Sequence, residues 1–375
     1  MLAPHLAVLL ASLANGGIGR TRVNLVNACV AQGVRTDLLM ADRKSPYLSQ
    51  LDPRVRIIDL PTSHPVTGVP ALAWYLLRAR PEALLTQRIR VNVLAQRARW
   101  LARSPTRLYV TANTMISHQL ESLSPAKQAR QSALMRRYYP GNDGIFAISR
   151  AVAEDTAQLL GWPVERIPVI HDPVVTPELL ALSRTPLAHP WFQPGESPVI
   201  LSIGRLEPVK DFPVLLDAFA RLRQTRPCRL VILGEGTERE ALMMQARALG
   251  VAADFELPGF VANPYGYLGR ARLFVSSSRF EGLGDALVEA LAVGTPVIAT
   301  HCPGGPVEVL DGGRFGPLVP VGDHTAMSEA MARLLDHPPA AGHLRAGAAR
   351  FAVDSNSQAY LAQMGLSLHQ IPKIH

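Results

Sequence analysis

Apolar positions in this chain alternate between two patterns. Short unbroken runs, such as His5 to Leu13, Val199–Ile203 and Arg229–Leu233, read as strands covered on both faces. Longer segments place apolar residues at helical steps, as in Val23, Leu25, Val26, Ala28, Cys29 and Val30, closed by Gly33. Further strands are expected at Val55–Leu60, Arg107–Thr111, Gly144–Ser149, Phe255–Phe260, Ala271–Ser276, Pro296–Thr300 and Leu318–Val321. Further helices are expected at Arg150–Leu160, Pro213–Leu222, Glu238–Leu249 and His324–Leu335. Pro61 to Pro70 reads as a loop carrying His64. This alternation predicts an α/β fold, a parallel sheet with covering helices, and it occurs twice. The expected organisation is a first domain over 1–175, a Pro-rich linker over 176–198 and a second domain over 199–352. The terminal segment 353–375 is too short for a domain. Two such domains in tandem give two sheets facing a cleft.

The most unusual pattern lies between Ser278 and Pro296. It starts as a loop broken by Gly282 and Gly284, which let a ligand approach the main chain. A helix follows from Asp285 to Val293, and Gly294 and Pro296 stop it. That helix is apolar almost all round, so it is expected to be buried, yet Glu289 sits in its middle. Glu281 stands in the loop at the helix's positive end. Two carboxylates so placed suit a long polar ligand with two sets of hydroxyls, and loop N–H groups suit an anionic part of it. A sugar nucleotide has that anatomy. A solvated Glu281 and a Glu289 paired with a buried Arg is the plainer alternative.

Composition narrows the class. The 375 residues are 48% hydrophobic and 18% charged, enough to build two real cores. The three cysteines, Cys29, Cys228 and Cys302, have no metal-type spacing, which suits a reduced, cytoplasmic protein. The Leu6–Leu13 run is too short to span a membrane and has no basic residue before it. The net charge of +8 arises in the first half and peaks over 77–107. There Arg78, Arg80, Arg88, Arg90, Arg97, Arg99, Arg103 and Arg107 face one acid, Glu82. Trp74, Tyr75, Leu84, Leu85, Ile89, Val93, Leu94, Trp100 and Leu101 are interleaved at roughly helical steps. A basic amphipathic helix of this kind suits an anionic membrane surface. A solvated helix whose Arg stems cover apolar surface is the alternative. Nucleic acid is not expected, because no zinc ligands or aromatic binding signature accompany the charge.

Two strand ends in the first half carry further candidates. Asn15-Gly16-Gly17-Ile18-Gly19 follows the first strand and opens a helix, a phosphate-facing unit. As a dinucleotide fingerprint it is incomplete: Arg22 occupies the place of the third glycine, and Asp42, the candidate ribose acid, comes late. His118 lies just beyond the strand ending at Ala112-Asn113-Thr114.

Glu281 and Glu289 together resemble the E-x7-E element of retaining glycosyltransferases of the GT4 family, which have the GT-B fold. Pro198-Val199-Ile200-Leu201-Ser202-Ile203-Gly204-Arg205-Leu206, Lys210-Asp211-Phe212, Leu233-Gly234-Glu235-Gly236 and Cys302-Pro303-Gly304-Gly305-Pro306 resemble that family in the same order. The resemblance covers nearly the whole chain and is stronger in its second half. It implies two Rossmann-like domains facing a central cleft, with the first selecting the acceptor and the second holding a nucleotide-sugar donor. The implied reaction moves a hexose or N-acetylhexosamine from a UDP-sugar or similar donor to a lipid-linked or cell-surface glycan, with retention. By resemblance, Arg205 and Lys210 take the diphosphate. Glu281 takes the donor sugar or the developing positive charge, and a role as nucleophile stays open. Gly282, Leu283 and Gly284 offer N–H groups, Glu289 the ribose contact, and Gly259 and Phe260 a cradle for the base. Gly16 and Gly17 would face the donor phosphates and sugar, and His118 is a candidate catalytic contact. No cofactor or metal is implied, and the chain has no Asp-x-Asp. The terminal segment would cross back to the first domain, and the enzyme could sit peripherally on the inner face of the cytoplasmic membrane. Three departures stand out: Ala112 where many relatives place the histidine, His171-Asp172 at an Asn-containing turn, and Val307 where Arg is usual. A nucleotide-sugar epimerase and an NAD-dependent enzyme remain as alternative classes.

Overall fold

The unbroken apolar runs become buried parallel strands. The computed structural model describes residues 3–11, 13, 16–41, 45–61 and 64–367. The chain divides into two compact units, Met1–Pro173 with Val353–His375, and Val174–Ala352. The part of the terminal segment at 368–375 lies outside the described residues.

The first unit holds six parallel strands: β1 (His5–Leu10), β2 (Arg35–Met40), β3 (Arg56–Asp59), β4 (Ala83–Gln87), β5 (Arg107–Ala112) and β6 (Gly144–Ala147). Their order in the sheet is β3-β2-β1-β4-β5-β6. The connecting helices are α1 (Gly17–Ala31), α2 (Pro65–Ala79), α3 (Ile89–Leu101), α4 (Ile116–Glu121), α5 (Pro125–Tyr138) and α6 (Arg150–Leu160). Helices on both faces explain why β1 lacks a polar side. Leu6, Val8 and Leu10 pack with Val23, Val26 and Cys29, whereas Ala7 and Leu9 pack with Leu72, Leu76, Leu94 and Ala98.

Two expectations fail here. Residues 77–107 do not form one basic helix. They comprise the end of α2, all of β4, all of α3 and the start of β5. Leu84 and Leu85 are both buried in β4, and a strand covered on both faces looks like a helix segment in a short apolar run. The loop expected over Pro61–Pro70 ends at His64, which caps α2 by accepting from the Val66 N–H at 3.4 Å. Proline at the first helical position lacks only an N–H that the helix would not use.

The second unit repeats the plan with β7 (Val199–Ile203), β8 (Arg229–Leu233), β9 (Phe255–Gly259), β10 (Leu273–Ser276), β11 (Val297–Thr300) and β12 (Leu318–Val319). Their order is β12-β11-β10-β7-β8-β9. Its helices are α7 (Pro177–Leu182), α8 (Phe212–Arg223), α9 (Arg239–Ala248), α10 (Tyr265–Leu268), α11 (Asp285–Val293), α12 (Pro306–Val309), α13 (His324–Asp336) and α14 (Ala341–Ala348). The last helix, α15 (Val353–Gln363), belongs to the first unit. It packs on α1, with Tyr360 fully buried and Gln32 Nε2 donating to Ser357 Oγ at 2.6 Å.

Residues 176–198, expected as a linker, are instead part of the second unit. α7 packs on α10 and α11, and Asn263 Nδ2 donates to Leu182 O at 3.3 Å and Thr185 Oγ1 at 3.1 Å. Buried His189 is ringed by Trp191, Phe192 and Tyr267. Prolines there start α7 and a short 3-10 turn rather than break contact with the core.

One buried carboxylate braces the first sheet. Asp37 on β2 is fully buried and accepts from Tyr75 Oη at 2.7 Å and Arg56 Nε at 2.9 Å, with His5 Nε2 at 3.0 Å. Burial alone would lift its pKa, but the hydrogen bonds from His5, Arg56 and Tyr75 outweigh it and hold the carboxyl well below the usual range. A depressed folded-state value means the stabilisation is complete above the unfolded value of about 4 and is lost as pH falls below it. Asp37→Asn is therefore expected to cost about 3 kcal/mol at neutral pH and to flatten the acid limb of the stability curve. Denaturant titration at a series of pH values checks both.

Candidate active site

The order of the second sheet reverses beside β7: β8 lies on one side and β10 on the other. In open parallel sheets a ligand crevice forms outside the strand C-termini at such a point. A small cleft lies there, lined by Ser202 and Ile203 from β7, Ser276 from β10, and Ser277, Lys210, Glu281 and Gly284 from the loops.

Lys210 ends a 3-10 turn, Pro208–Lys210, that is tied to the loop after β10. Ser277 Oγ donates to Lys210 O at 2.7 Å, and the Arg279 N–H donates to Val209 O at 2.8 Å. Asp211 adopts a left-handed conformation (φ 49°), and Arg279 Nε pairs with its Oδ2 at 3.1 Å. The Lys210 side chain lies across Gly204, where a Cβ would stand 3.1 Å from Lys210 Cε. Lys210 Nζ then meets Glu281 Oε1 at 2.5 Å, and Ser278 Oγ donates to the same oxygen at 2.6 Å. Arg205, by contrast, is exposed and forms no ion pair among the described residues. The neighbours that could have paired with it are engaged elsewhere: Glu207 accepts from Thr237 Oγ1 at 3.3 Å and Asp211 holds Arg279.

The Glu281 loop rests on the turn after β11. The Glu281 N–H donates to Pro303 O at 3.0 Å and the Gly305 N–H to Gly282 O at 3.1 Å. Gly304 has φ 119°, and a Cβ on it would fall 1.8 Å from Glu281 O. A Cβ on Gly305 would fall 2.4 Å from Leu283 O. Two main chains touch there, and only glycine permits it. Gly284, at φ 93°, starts α11, whose residues Leu287–Ala292 are buried. Glu289 is 5% exposed and accepts from Tyr265 Oη at 3.3 Å. Burial, reinforced by the nearby Glu281 charge, pushes the Cys302 thiol up to about 11, so it stays protonated and offers no nucleophile.

The structure brings Lys210, Glu281 and Gly284 into one cleft, with Arg205 at the adjoining strand end and Gly282 and Leu283 in the same loop. Glu289 lies deeper on α11. Gly259 and Phe260 stand two strands away at the end of β9, where the Gly234 N–H donates to Gly259 O at 2.8 Å and Phe260 is partly exposed. Gly16, Gly17 and His118 belong to the first unit. Gly16 caps α1, with its N–H 3.3 Å from Tyr47 Oη, and Gly17 is exposed. His118 on α4 has Nδ1 3.1 Å from Glu121 Oε2. Asp42 lies outside the described residues. Sequence reasoning missed Ser277, Ser278, Arg279 and Tyr265. The run Ser276-Ser277-Ser278 directly after a strand was the available signal for two of them.

Residues 184–351 match the model of the glycosyl transferases group 1, and residues 16–173 match that of the glycosyl transferase 4-like domain. A lipopolysaccharide core biosynthesis glycosyltransferase, LpsE of Rhizobium meliloti, is 32% identical over 198 residues, 53% of this chain and 55% of its own. An N-acetylgalactosamine-N,N'-diacetylbacillosaminyl-diphospho-undecaprenol 4-alpha-N-acetylgalactosaminyltransferase of Campylobacter jejuni is 29% identical over 203 residues, 54% of this chain and 53% of its own. The alignments thus span about half the length of these curated relatives. The crystal structure of Anabaena Alr3699/HepE with UDP and glucose superposes with a TM-score of 0.77 at 19% identity, covering 96% of this chain and 99% of that one. The fold is GT-B, and the chain belongs to the group 1 glycosyl transferases with a 4-like first domain.

Proposed function

We propose that this chain transfers a hexose or N-acetylhexosamine from a nucleoside-diphosphate sugar, UDP by preference, to a lipid-linked or cell-surface glycan. The anomeric configuration is kept and no metal ion takes part. The observation that carries this reading is the Lys210–Glu281 pair at 2.5 Å, set beside the exposed Arg205 at the reversal point of the second sheet. A departing diphosphate develops negative charge that fixed positive groups must meet. Arg205 offers a fork and Lys210 a point charge, and the start of α11 adds N–H groups. Glu281, oriented by Lys210 and Ser278, faces the donor sugar. Glu289, with Tyr265, takes the ribose hydroxyls, and Gly259 and Phe260 take the base. UDP in the Anabaena structure supports the donor class, and the names of the Rhizobium and Campylobacter proteins support a lipid-linked acceptor. Such an acceptor places the protein peripherally on the inner face of the cytoplasmic membrane.

Thermal unfolding with UDP, GDP, ADP or NAD, all in EDTA, tests the donor site. A ligand at 100 times its Kd adds about 2.7 kcal/mol. UDP is expected to stabilise the protein and Glu289→Gln to weaken that effect; stabilisation by NAD alone would overturn the reading. With an acceptor in hand, Arg205→Ala is expected to lower kcat roughly 10²–10³-fold without changing the melting temperature. Proton NMR of the first product reads the anomeric configuration, and epimerised free donor in its place would name an epimerase. Gly304→Ala, which drives a Cβ into Glu281 O, is expected to cost about 3 kcal/mol and to abolish UDP stabilisation.

A further inference from the structure

The first unit exposes apolar side chains on a layer of helices that has no acid. α2 and α3 pack on each other, and α5 packs on α3. None of the three contains Asp or Glu. Each links one parallel strand to another on the same sheet, so their C-terminal ends lie toward the same edge. Near those ends Trp74 is 61% exposed and Leu77 53% on α2, and Trp100 is 82% exposed and Leu101 53% on α3. Tyr75, next to Trp74, is buried against Asp37, so the exposure is confined to one face of α2.

The arginines around this patch are of two kinds. Arg99 is structural: it pairs with Asp143 at 2.5 Å and donates to Gly141 O at 2.8 Å. Arg78, Arg80 and Arg103 are exposed beside the apolar residues, and the Arg78 guanidinium lies 4.9 Å from the centre of the Trp74 ring. Arg80 and Arg103 end α2 and α3 in left-handed conformations, φ 47° and 46°. Glycine is the residue best suited to such positions. Arginine at both places a cation at each helix end beside an exposed Trp–Leu or Leu–Trp set.

We infer that this patch, Trp74, Leu77, Trp100 and Leu101 ringed by Arg78, Arg80 and Arg103, is a docking surface for an anionic lipid bilayer. The inference deepens the peripheral placement proposed above by naming the residues that make contact. Tryptophan favours the headgroup level of a bilayer, with its ring in the apolar layer and its N–H in the wet one. Arginine meets lipid phosphates. A second copy of the chain is the poorer occupant, because a symmetric contact would press Arg78, Arg80 and Arg103 against their own copies, with Glu82 the one acid near them in sequence.

The test is co-sedimentation of the full chain with phosphatidylcholine vesicles, with and without phosphatidylglycerol. Binding is expected only with the anionic lipid, weakening as salt rises. Arg80→Gly and Arg103→Gly suit the left-handed backbone, so the melting temperature should hold or rise while vesicle affinity falls about fivefold per arginine. Trp74→Ala with Trp100→Ala should lose binding and the blue shift of tryptophan emission on vesicle addition. UDP stabilisation is measured on the same variants and is expected to stay, which separates a failed docking surface from a failed donor site. Wild-type protein that ignores anionic vesicles at low salt, variants that bind as wild type does, or concentration-dependent dimerisation lost with Trp74 and Trp100 in place of vesicle binding would each overturn the inference.

Discussion

The close contact between two main chains, Gly304-Gly305 against Glu281–Leu283, is the constraint on which the second unit's cleft depends. No side chain fits between them. That contact sets the height of the Glu281 loop over the end of β11 and fixes where α11 begins. Glu281 then has a defined place in which to meet Lys210. Lys210 in turn is held through its own backbone by Ser277 and by the Asp211–Arg279 pair. The ion pair at the cleft is therefore positioned by backbone contacts on both of its sides. The charges do not have to find each other, so little ordering entropy remains to be lost when a ligand arrives.

The first unit solves a similar problem with a buried charge pair. Arg22, in the place of a third glycine after β1, is 1% exposed, and its Nη2 lies 2.9 Å from Asp172 Oδ1. With its amide oxygen turned toward Arg22, Asn113 accepts from the same Nη2 at 2.6 Å and donates to Thr111 O at 3.0 Å. The ring of Tyr360 from α15 lies beneath the guanidinium, 5.8 Å away. Two departures noted in the sequence, the missing glycine and the His171-Asp172 turn, are thus one feature. An arginine at the start of α1 needs a carboxylate at the end of the unit, because a buried charge without a partner is strongly destabilising.

Charge in this chain has three distinct uses. Asp37 and Asp172 are buried and organise packing. Lys210 and Glu281 are half-buried and paired across a cleft. Arg78, Arg80 and Arg103 are exposed and face outward with apolar residues. The overall excess of positive charge says nothing about which arginine does which. Arg99 and Arg103 stand four residues apart, yet one is tied to Asp143 and the other projects from a helix end.

Much of the fold was legible because its strands are short apolar runs bounded by glycine and proline, and because the helix Asp285–Val293 carries its own start and stop residues. The E-x7-E element marked the second unit's candidate site for the same reason: loop, helix and glutamates are local in sequence. What the tertiary structure decided were matters of distant contact. Leu84 and Leu85 could not be told from helix residues until β1 and β5 flanked them. Residues 176–198 looked like a linker until α10 and α11 covered α7. One partner of Glu289 is Tyr265, twenty-four residues earlier, and one partner of Arg22 is Asp172, one hundred and fifty residues later. Patterns of three or four residues report which face of an element is buried; they carry no information about which distant group completes a buried charge.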